Sequence, residues 1–373
     1  MVVKKIPSVV AINLLVPLLI VLGFELFLQL FWKNPYLDKP LEISARLHAK
    51  NMSISVTTEG FYPYEEPILF RTLEDRSIYG GKIEQENKLL ALGGSTTESS
   101  LVPEGQRWPD LLNPPALNYG VSGNYLVDSY YNLIYLHDNL VPPPTTVTIM
   151  HAVNDLEFFV NRGSQEFDVR NWSHPLENPL AIFDNTDRHF IPGIRVSDSS
   201  IMSLITYLRN NTGARSIIEP YIAQKRSRDV MRFLDDEIFQ KLRSQLISEF
   251  LPKRLSVLEQ IYEAAESLEI SLVMLTQPHA FIEDYTPPVQ DLRVTPVWQG
   301  ARLSLRQTSE LIELINTQTK ISAKERNVKV IDLAKCIGVK EVGPLLFDSV
   351  HYSLEGSITV AGCINEDMLG TSL

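Results

Sequence analysis

Ser95, in the run Gly93-Gly94-Ser95-Thr96-Thr97, and the pair Asp348 and His351, in Asp348-Ser349-Val350-His351, are the side chains of this sequence whose types and spacing suit one chemical unit. A serine hydroxyl is too weakly acidic to attack a carbonyl unaided, so it needs a base within hydrogen-bond reach. A carboxylate three residues before a histidine can accept the imidazole Nδ1–H on one tight turn and leave Nε2 facing a hydroxyl. Each piece also has an ordinary reading. Gly-Gly-Ser-Thr is turn and helix-cap chemistry, and an Asp-His pair can be a solvated surface pair.

Two further stretches supply donors for a developing oxyanion. Gly123 lies in the glycine-rich turn Tyr119-Gly120-Val121-Ser122-Gly123-Asn124, just before a predicted helix, where a backbone N–H can point at a bound anion. Asn154, in His151-Ala152-Val153-Asn154-Asp155, carries an amide able to donate to the same oxygen. A turn glycine and a helix cap are the plain alternatives. His151 beside Asn154 is either a hydrogen-bonded structural group or a substrate contact, and Gln277 and His279 in Thr276-Gln277-Pro278-His279 are further candidate pocket residues; none of the three is read as catalytic.

The elements that must position these groups follow from apolar periodicity. Short apolar runs at 89–92, 116–119, 145–150, 270–275 and 328–331 read as strands, with helical patterns at 125–139, 255–268 and 301–323 and a last one after Leu354. Such alternation predicts an α/β domain with a mostly parallel sheet of about five strands, covered by helices on both faces. In that architecture ligands sit at the carboxyl ends of strands, where Ser95, Gly123 and Asn154 fall. The interval 156–254 breaks the alternation and reads as an insertion, either a lid over the site or a peripheral helical subdomain. Its aromatics Phe158, Phe159, Trp172, Phe183 and Tyr207 suit sugar stacking and core packing alike.

The chain has 373 residues, a formal net charge of −11 and 44% apolar residues, which fits a globular protein and argues against a nucleic-acid-binding surface. No Gly-x-Gly-x-x-Gly follows a strand and no phosphate loop occurs, which disfavours a redox or nucleotide enzyme. Cys336 and Cys363 lack the further ligands of a zinc site, so no metal or other cofactor is expected; the two can pair in an oxidising compartment or remain core thiols.

After Lys4 and Lys5, the run from Val9 to Phe31 is apolar except for Asn13, Glu25 and Gln29. At helical rise such a run of about 23 residues spans a hydrocarbon core of roughly 30 Å. The expected organisation is a cytoplasmic tail at 1–7, a transmembrane signal anchor at 8–32, a stalk at 33–86 packing on the domain, and an extracytoplasmic domain at 87–373.

Gly93-Gly94-Ser95-Thr96, Gly123 in Val121-Ser122-Gly123-Asn124, Asn154 in Val153-Asn154-Asp155, and Asp348 with His351 together resemble the four blocks of the SGNH (GDSL-type) hydrolases. The resemblance covers about 88–373 without the insertion, and Trp108-Pro109-Asp110-Leu111-Leu112 resembles the family's first helix. It implies a three-layer α/β/α domain of flavodoxin-like type, with Ser95 as nucleophile, His351 as general base and Asp348 as its orienting carboxylate. By the same resemblance the oxyanion hole comprises the Ser95 N–H, the Gly123 N–H and the Asn154 amide. Gly94 departs from the family's usual aspartate, and His151 with Ala152 stand where glycines are usual. The activity expected is an esterase acting on a short-chain acyl ester of an envelope or extracellular glycan or lipid. The alternatives are an O-acyltransferase using the same triad and a non-catalytic glycan-binding scaffold.

Overall fold

The structure is a computed structural model that describes residues 45–57, 67–81, 89–172, 189–195, 214–283, 293–338 and 345–369, apart from isolated positions within them, together with a few positions between 20 and 27. The expected membrane helix at 8–32 therefore lies almost wholly outside the described residues. Among the described residues no helix is long and apolar enough to cross a membrane.

The chain opens with β1 (Ser53–Thr57), antiparallel to β2 (Ile68–Arg71). Then β3 (Leu89–Gly93) leads directly into a four-residue helix, α1 (Ser95–Glu98), and β4 (Leu117–Asn118) precedes α2 (Leu126–Asn139). Next come β5 (Thr146–Met150) and α3 (Val153–Arg162). The inserted interval contributes the antiparallel pair β6 (His189–Ile191) and β7 (Ile194–Arg195), then β8 (Ala214–Ser216), α4 (Ile218–Asp229) and α5 (Asp236–Gln245). A π-turn over Leu246–Phe250 carries the last of these into α6 (Leu251–Ser267). The remainder is β9 (Ser271–Leu275), the short pair β10 (Val297–Trp298) and β11 (Ala301–Arg302), α7 (Leu305–Glu325), β12 (Lys329–Ile331), α8 (Leu333–Ile337) and α9 (Leu354–Leu369).

The central sheet has the order β12-β9-β5-β3-β4, and every pairing is parallel. Its inner strands β3, β5 and β9 are almost wholly buried, as a sheet between two helical layers requires. Leu90, Leu92, Val147, Ile149, Leu272 and Met274 face a core shared with α2, α3, α6 and α7. Their neighbours Leu89, Ala91, Met150, Val273 and Leu275 face a second core with Trp108, α8 and α9. This alternation with period two makes the three layers.

One local expectation changes. Residues 108–112 form successive turns instead of a helix: the Asp110 carboxylate accepts the backbone N–H groups of Gly105 and Arg107 as at a helix start, but Pro114 and Pro115 follow and supply no N–H to continue one. Trp108 is nonetheless buried, with its indole N–H donating to Thr96 O at 3.1 Å. The stretch read as a stalk carries β1 and β2, which join the insertion through β1 paired in parallel with β8, and Ile78 bridges Asn118 of the central sheet. Cys336 and Cys363 form a disulfide that links α8 to α9.

Candidate active site

β3 ends at Gly93 in register with Met150 of β5, so the residues that follow these strands and β4 emerge side by side at the carboxyl edge of the sheet. Ser95 is the first residue of α1. His351 approaches from the other end of the chain on a turn closed by the Phe347 N–H donating to His351 O at 2.7 Å. That turn is tied down on both sides, since Ser349 O accepts the Ala280 N–H at 2.8 Å and Ser349 Oγ accepts the Val294 N–H at 2.8 Å.

The structure brings Ser95, His351 and Asp348 into one hydrogen-bonded line. His351 Nε2 lies 2.8 Å from Ser95 Oγ, and His351 Nδ1 lies 2.7 Å from Asp348 Oδ2. A carboxylate only accepts, so Nδ1 carries the proton and Nε2 is left to accept from the serine hydroxyl. The other carboxylate oxygen, Asp348 Oδ1, accepts the backbone N–H groups of Val350 and His351, each at 2.9 Å.

Burial by itself disfavours charge on both partners, yet their mutual interaction prevails. For His351, desolvation lowers the pKa, but the Asp348 charge and hydrogen bond, with smaller contributions from Glu98 and Glu157, leave it above its ordinary 6.5. For Asp348, burial acts upward, and the His351 charge with the three hydrogen bonds holds it below its ordinary value.

Gly123 sits in the left-handed region at φ +76°, within a turn closed by the Asn124 N–H donating to Val121 O at 2.9 Å. Such a conformation favours glycine, which accounts for its place in this turn. Asn154 stands in the first turn of α3 and donates from Nδ2 to Asn124 O at 2.8 Å. Because a carbonyl oxygen only accepts, that contact fixes the amide orientation and leaves the second N–H of Nδ2 for another acceptor. A Cβ on Gly94 would stand 2.4 Å from Asn154 Nδ2, so the amide lies against the residue just before Ser95. Glycine at position 94 therefore has a steric reason.

Of the three candidate pocket residues, two are enclosed beside the site and the third faces a different cleft. His151 is buried, with Nε2 hydrogen-bonded to Ser129 Oγ at 2.7 Å, and burial pulls it down to about 4, so it is a neutral structural group. Gln277 is also enclosed; its Oε1 accepts the Ala152 and Val153 N–H groups at 2.8 and 2.9 Å, capping the helix that presents Asn154. His279 opens onto a different cleft of about 500 Å³, with Pro278, Ile282 and Glu313, that Ser95, Asp348 and His351 do not line. Phe158, Phe159 and Trp172 are likewise core residues packed on Phe167 and Phe250; Phe183 and Tyr207 lie outside the described residues.

Sequence reasoning missed Glu98, whose buried carboxylate accepts from both the Ser122 backbone N–H and the Ser122 hydroxyl. It also missed Glu157, one helical turn after Asn154, which pairs with Arg228 of α4 at 3.8 Å. The i, i+3 spacing from Asn154 to Glu157 was the available signal for the second.

No family model matches the sequence, and no curated protein matches it. Solved structures are similar in chain trace. One is an acetylxylan esterase from Geobacillus stearothermophilus, 14% identical with a TM-score of 0.39, the match covering 77% of this chain and 96% of that one. Another is a member of the lipolytic protein G-D-S-L family from Veillonella parvula, 15% identical with a TM-score of 0.38, covering 74% and 96%. A third is an α/β hydrolase from the metagenome of Lake Arreo, 13% identical with a TM-score of 0.37, covering 76% and 94%.

Proposed function

We propose that this protein is a serine esterase of the SGNH (GDSL-type) kind, working through an acyl-Ser95 intermediate. The observation that carries the reading is the line Ser95 Oγ to His351 Nε2 at 2.8 Å and His351 Nδ1 to Asp348 at 2.7 Å, set at the sheet edge beside Asn154. In this mechanism His351 takes the Ser95 proton as Oγ attacks the ester carbonyl. The Ser95 and Gly123 N–H groups and the second N–H of Asn154 Nδ2 hold the oxyanion, each well-placed donor being worth roughly 3 kcal/mol. Collapse expels the alcohol with the proton from His351, and water then resolves the acyl-enzyme by the same base. The substrate in this reading is a short-chain acyl ester of an envelope or extracellular glycan or lipid.

An extracytoplasmic domain held by the signal anchor at 8–32 agrees with the Cys336–Cys363 disulfide, since such bonds persist in oxidising compartments.

The test is hydrolysis of p-nitrophenyl acetate together with labelling of Ser95 by a fluorophosphonate. Both are expected. The base must be neutral to accept a proton, and His351 is raised, so kcat/KM should climb with pH along a limb whose midpoint lies above 6.5. A parent protein that neither turns over the ester nor labels at Ser95 would overturn the reading.

Gly94→Ala gives a sharper check on the oxyanion site. The backbone there, at φ −89°, suits alanine, so the methyl acts only by meeting Asn154 Nδ2. Displacing that donor should lower kcat about 10- to 100-fold with the melting temperature nearly unchanged, a part of the loss expected for full removal of a donor. Parent-like kcat in Gly94→Ala would show that Asn154 does not serve the oxyanion.

A further inference from the structure

We infer that Arg46 and Glu98 form a buried clamp that sets the direction of the Gly123 N–H, making the segment ahead of β1 a positioning part of the active site. This rests on the serine-esterase reading above. The argument turns on one peptide plane. The Gly123 N–H belongs to the same planar, trans unit as Ser122 C=O, so the two point in opposite directions. Whatever holds Ser122 O also aims the Gly123 N–H.

Arg46 holds it: Nη1 donates to Ser122 O at 2.9 Å and to Asn124 Oδ1 at 2.6 Å, gripping the turn on both sides of Gly123. Glu98 fixes the preceding peptide plane by accepting the Ser122 N–H, and it accepts the Ser122 hydroxyl as well. Glu98 is also the last residue of α1, three positions after Ser95, so the clamp ties the nucleophile's helix to the donor turn. Both side chains are enclosed, Arg46 at 6% and Glu98 at 2% exposure. A turn with φ +76° at Gly123 can rotate its Ser122–Gly123 plane into an alternative turn type at modest cost, because glycine tolerates either conformation. The clamp opposes that rotation, which would strand the Arg46 donor in a dry site.

Arg46 itself is seated precisely enough to do this. Its backbone N–H donates to Asn132 Oδ1 at 2.9 Å and its carbonyl accepts from Asn132 Nδ2 at 3.0 Å, both from α2. Two residues on, the buried His48 ring meets Gly120 O at 3.1 Å, anchoring the same segment to the start of the donor turn. Burial acts against the charge on Arg46, and the carboxylates of Asp128 and Glu98 favour it. Burial prevails and pulls the guanidinium down from its ordinary value, so its seat depends on the hydrogen bonds to Ser122 O and Asn124 Oδ1.

The experiment compares Arg46→Met, Arg46→Lys and Glu98→Gln with the parent in the full-length protein, using p-nitrophenyl acetate and counting competent sites by fluorophosphonate titration. Per titrated site, kcat should fall about 10- to 100-fold in Arg46→Met, less in Arg46→Lys, as expected for an oxyanion donor that is misdirected but still present. KM should stay within about twofold, because the donor acts on the transition state and not on bound ester. Affinity for benzeneboronic acid, whose tetrahedral adduct with Ser95 places an oxygen among the donors, should fall by the same factor as kcat. A role confined to folding would instead lower the melting temperature and the titrated fraction, with kcat per site and boronate affinity at parent values; that result overturns the inference. Where Arg46→Met fails to fold, Arg46→Lys and Glu98→Gln decide by the same two readouts. A parent without ester hydrolysis or Ser95 labelling overturns the esterase reading and the clamp together, and it is distinguished from the previous outcome because the parent alone reveals it.

Discussion

Ser95→Ala and His351→Ala should each lower kcat for p-nitrophenyl acetate by roughly 10⁶-fold, because in the proposed mechanism nucleophile and base work as one unit and removing either removes the acyl-enzyme route. The 2.8 Å contact between Ser95 Oγ and His351 Nε2 is the only transfer path the described residues offer to the serine proton. Asp348→Asn should cost less, roughly 10⁴-fold, since it spoils the tautomer and orientation of His351 without deleting the base. The order of the three variants is itself informative. Equal, complete loss in all three with an altered circular dichroism spectrum would point to collapse of the 347–351 turn, since Asp348 Oδ1 also holds the Val350 and His351 N–H groups. Retained activity in Ser95→Ala with an intact fold would remove Ser95 from the chemistry altogether.

Asp155→Ala should destabilise the protein by about 3–5 kcal/mol, the cost expected when one partner of a fully buried ion pair is removed. Asp155 and Arg254 are each 0% exposed and meet at 2.8 Å. The pair is a junction of four helices. Asp155 Oδ1 accepts the Leu126 N–H at the start of α2, while Arg254 of α6 donates to His151 O at 3.0 Å and to Thr319 Oγ1 of α7 at 3.1 Å. Removing the carboxylate leaves the guanidinium charged in a dry interior and frees the first turn of α2. Urea unfolding followed by tryptophan fluorescence measures the change. A loss below about 1 kcal/mol would mean that water or a neighbouring acceptor replaces Asp155, since such small values belong to solvent-screened pairs. Replacing both partners with apolar residues of similar volume should cost much less than Asp155→Ala, because no uncompensated charge then remains.

The five strands of the central sheet were legible as short apolar runs, most plainly the inner strands β3, β5 and β9, which are almost wholly buried. Strand ends drifted by a residue, as at 116–119 against Leu117–Asn118, where pairing partners and not propensity set the limit. The Trp108 stretch misled because Pro114 and Pro115 follow within a turn and withhold the backbone N–H groups that would extend a helix. His151 and Gln277 follow strands at the functional edge, and the structure gives His151 the hydrogen-bonded structural role that the sequence left open beside substrate contact. Adjacency along the chain places a residue near an edge; it does not say whether the side chain turns toward solvent or under the next helix.

From types and spacing alone came the α/β class, the sheet edge that carries Ser95, Gly123 and Asn154, and the pairing of Asp348 with His351 across three residues. Those are local properties, written in periodicity and in the reach of one turn. What only the tertiary structure decided is how distant segments meet: His351 arriving at Ser95 from the far end of the chain, Gln277 capping the helix of Asn154, Arg254 neutralising Asp155, and Arg46 holding the turn at Gly123. The physical reason is that a buried polar group must find a partner wherever the packed chain supplies one, and separation in sequence carries no information about that choice.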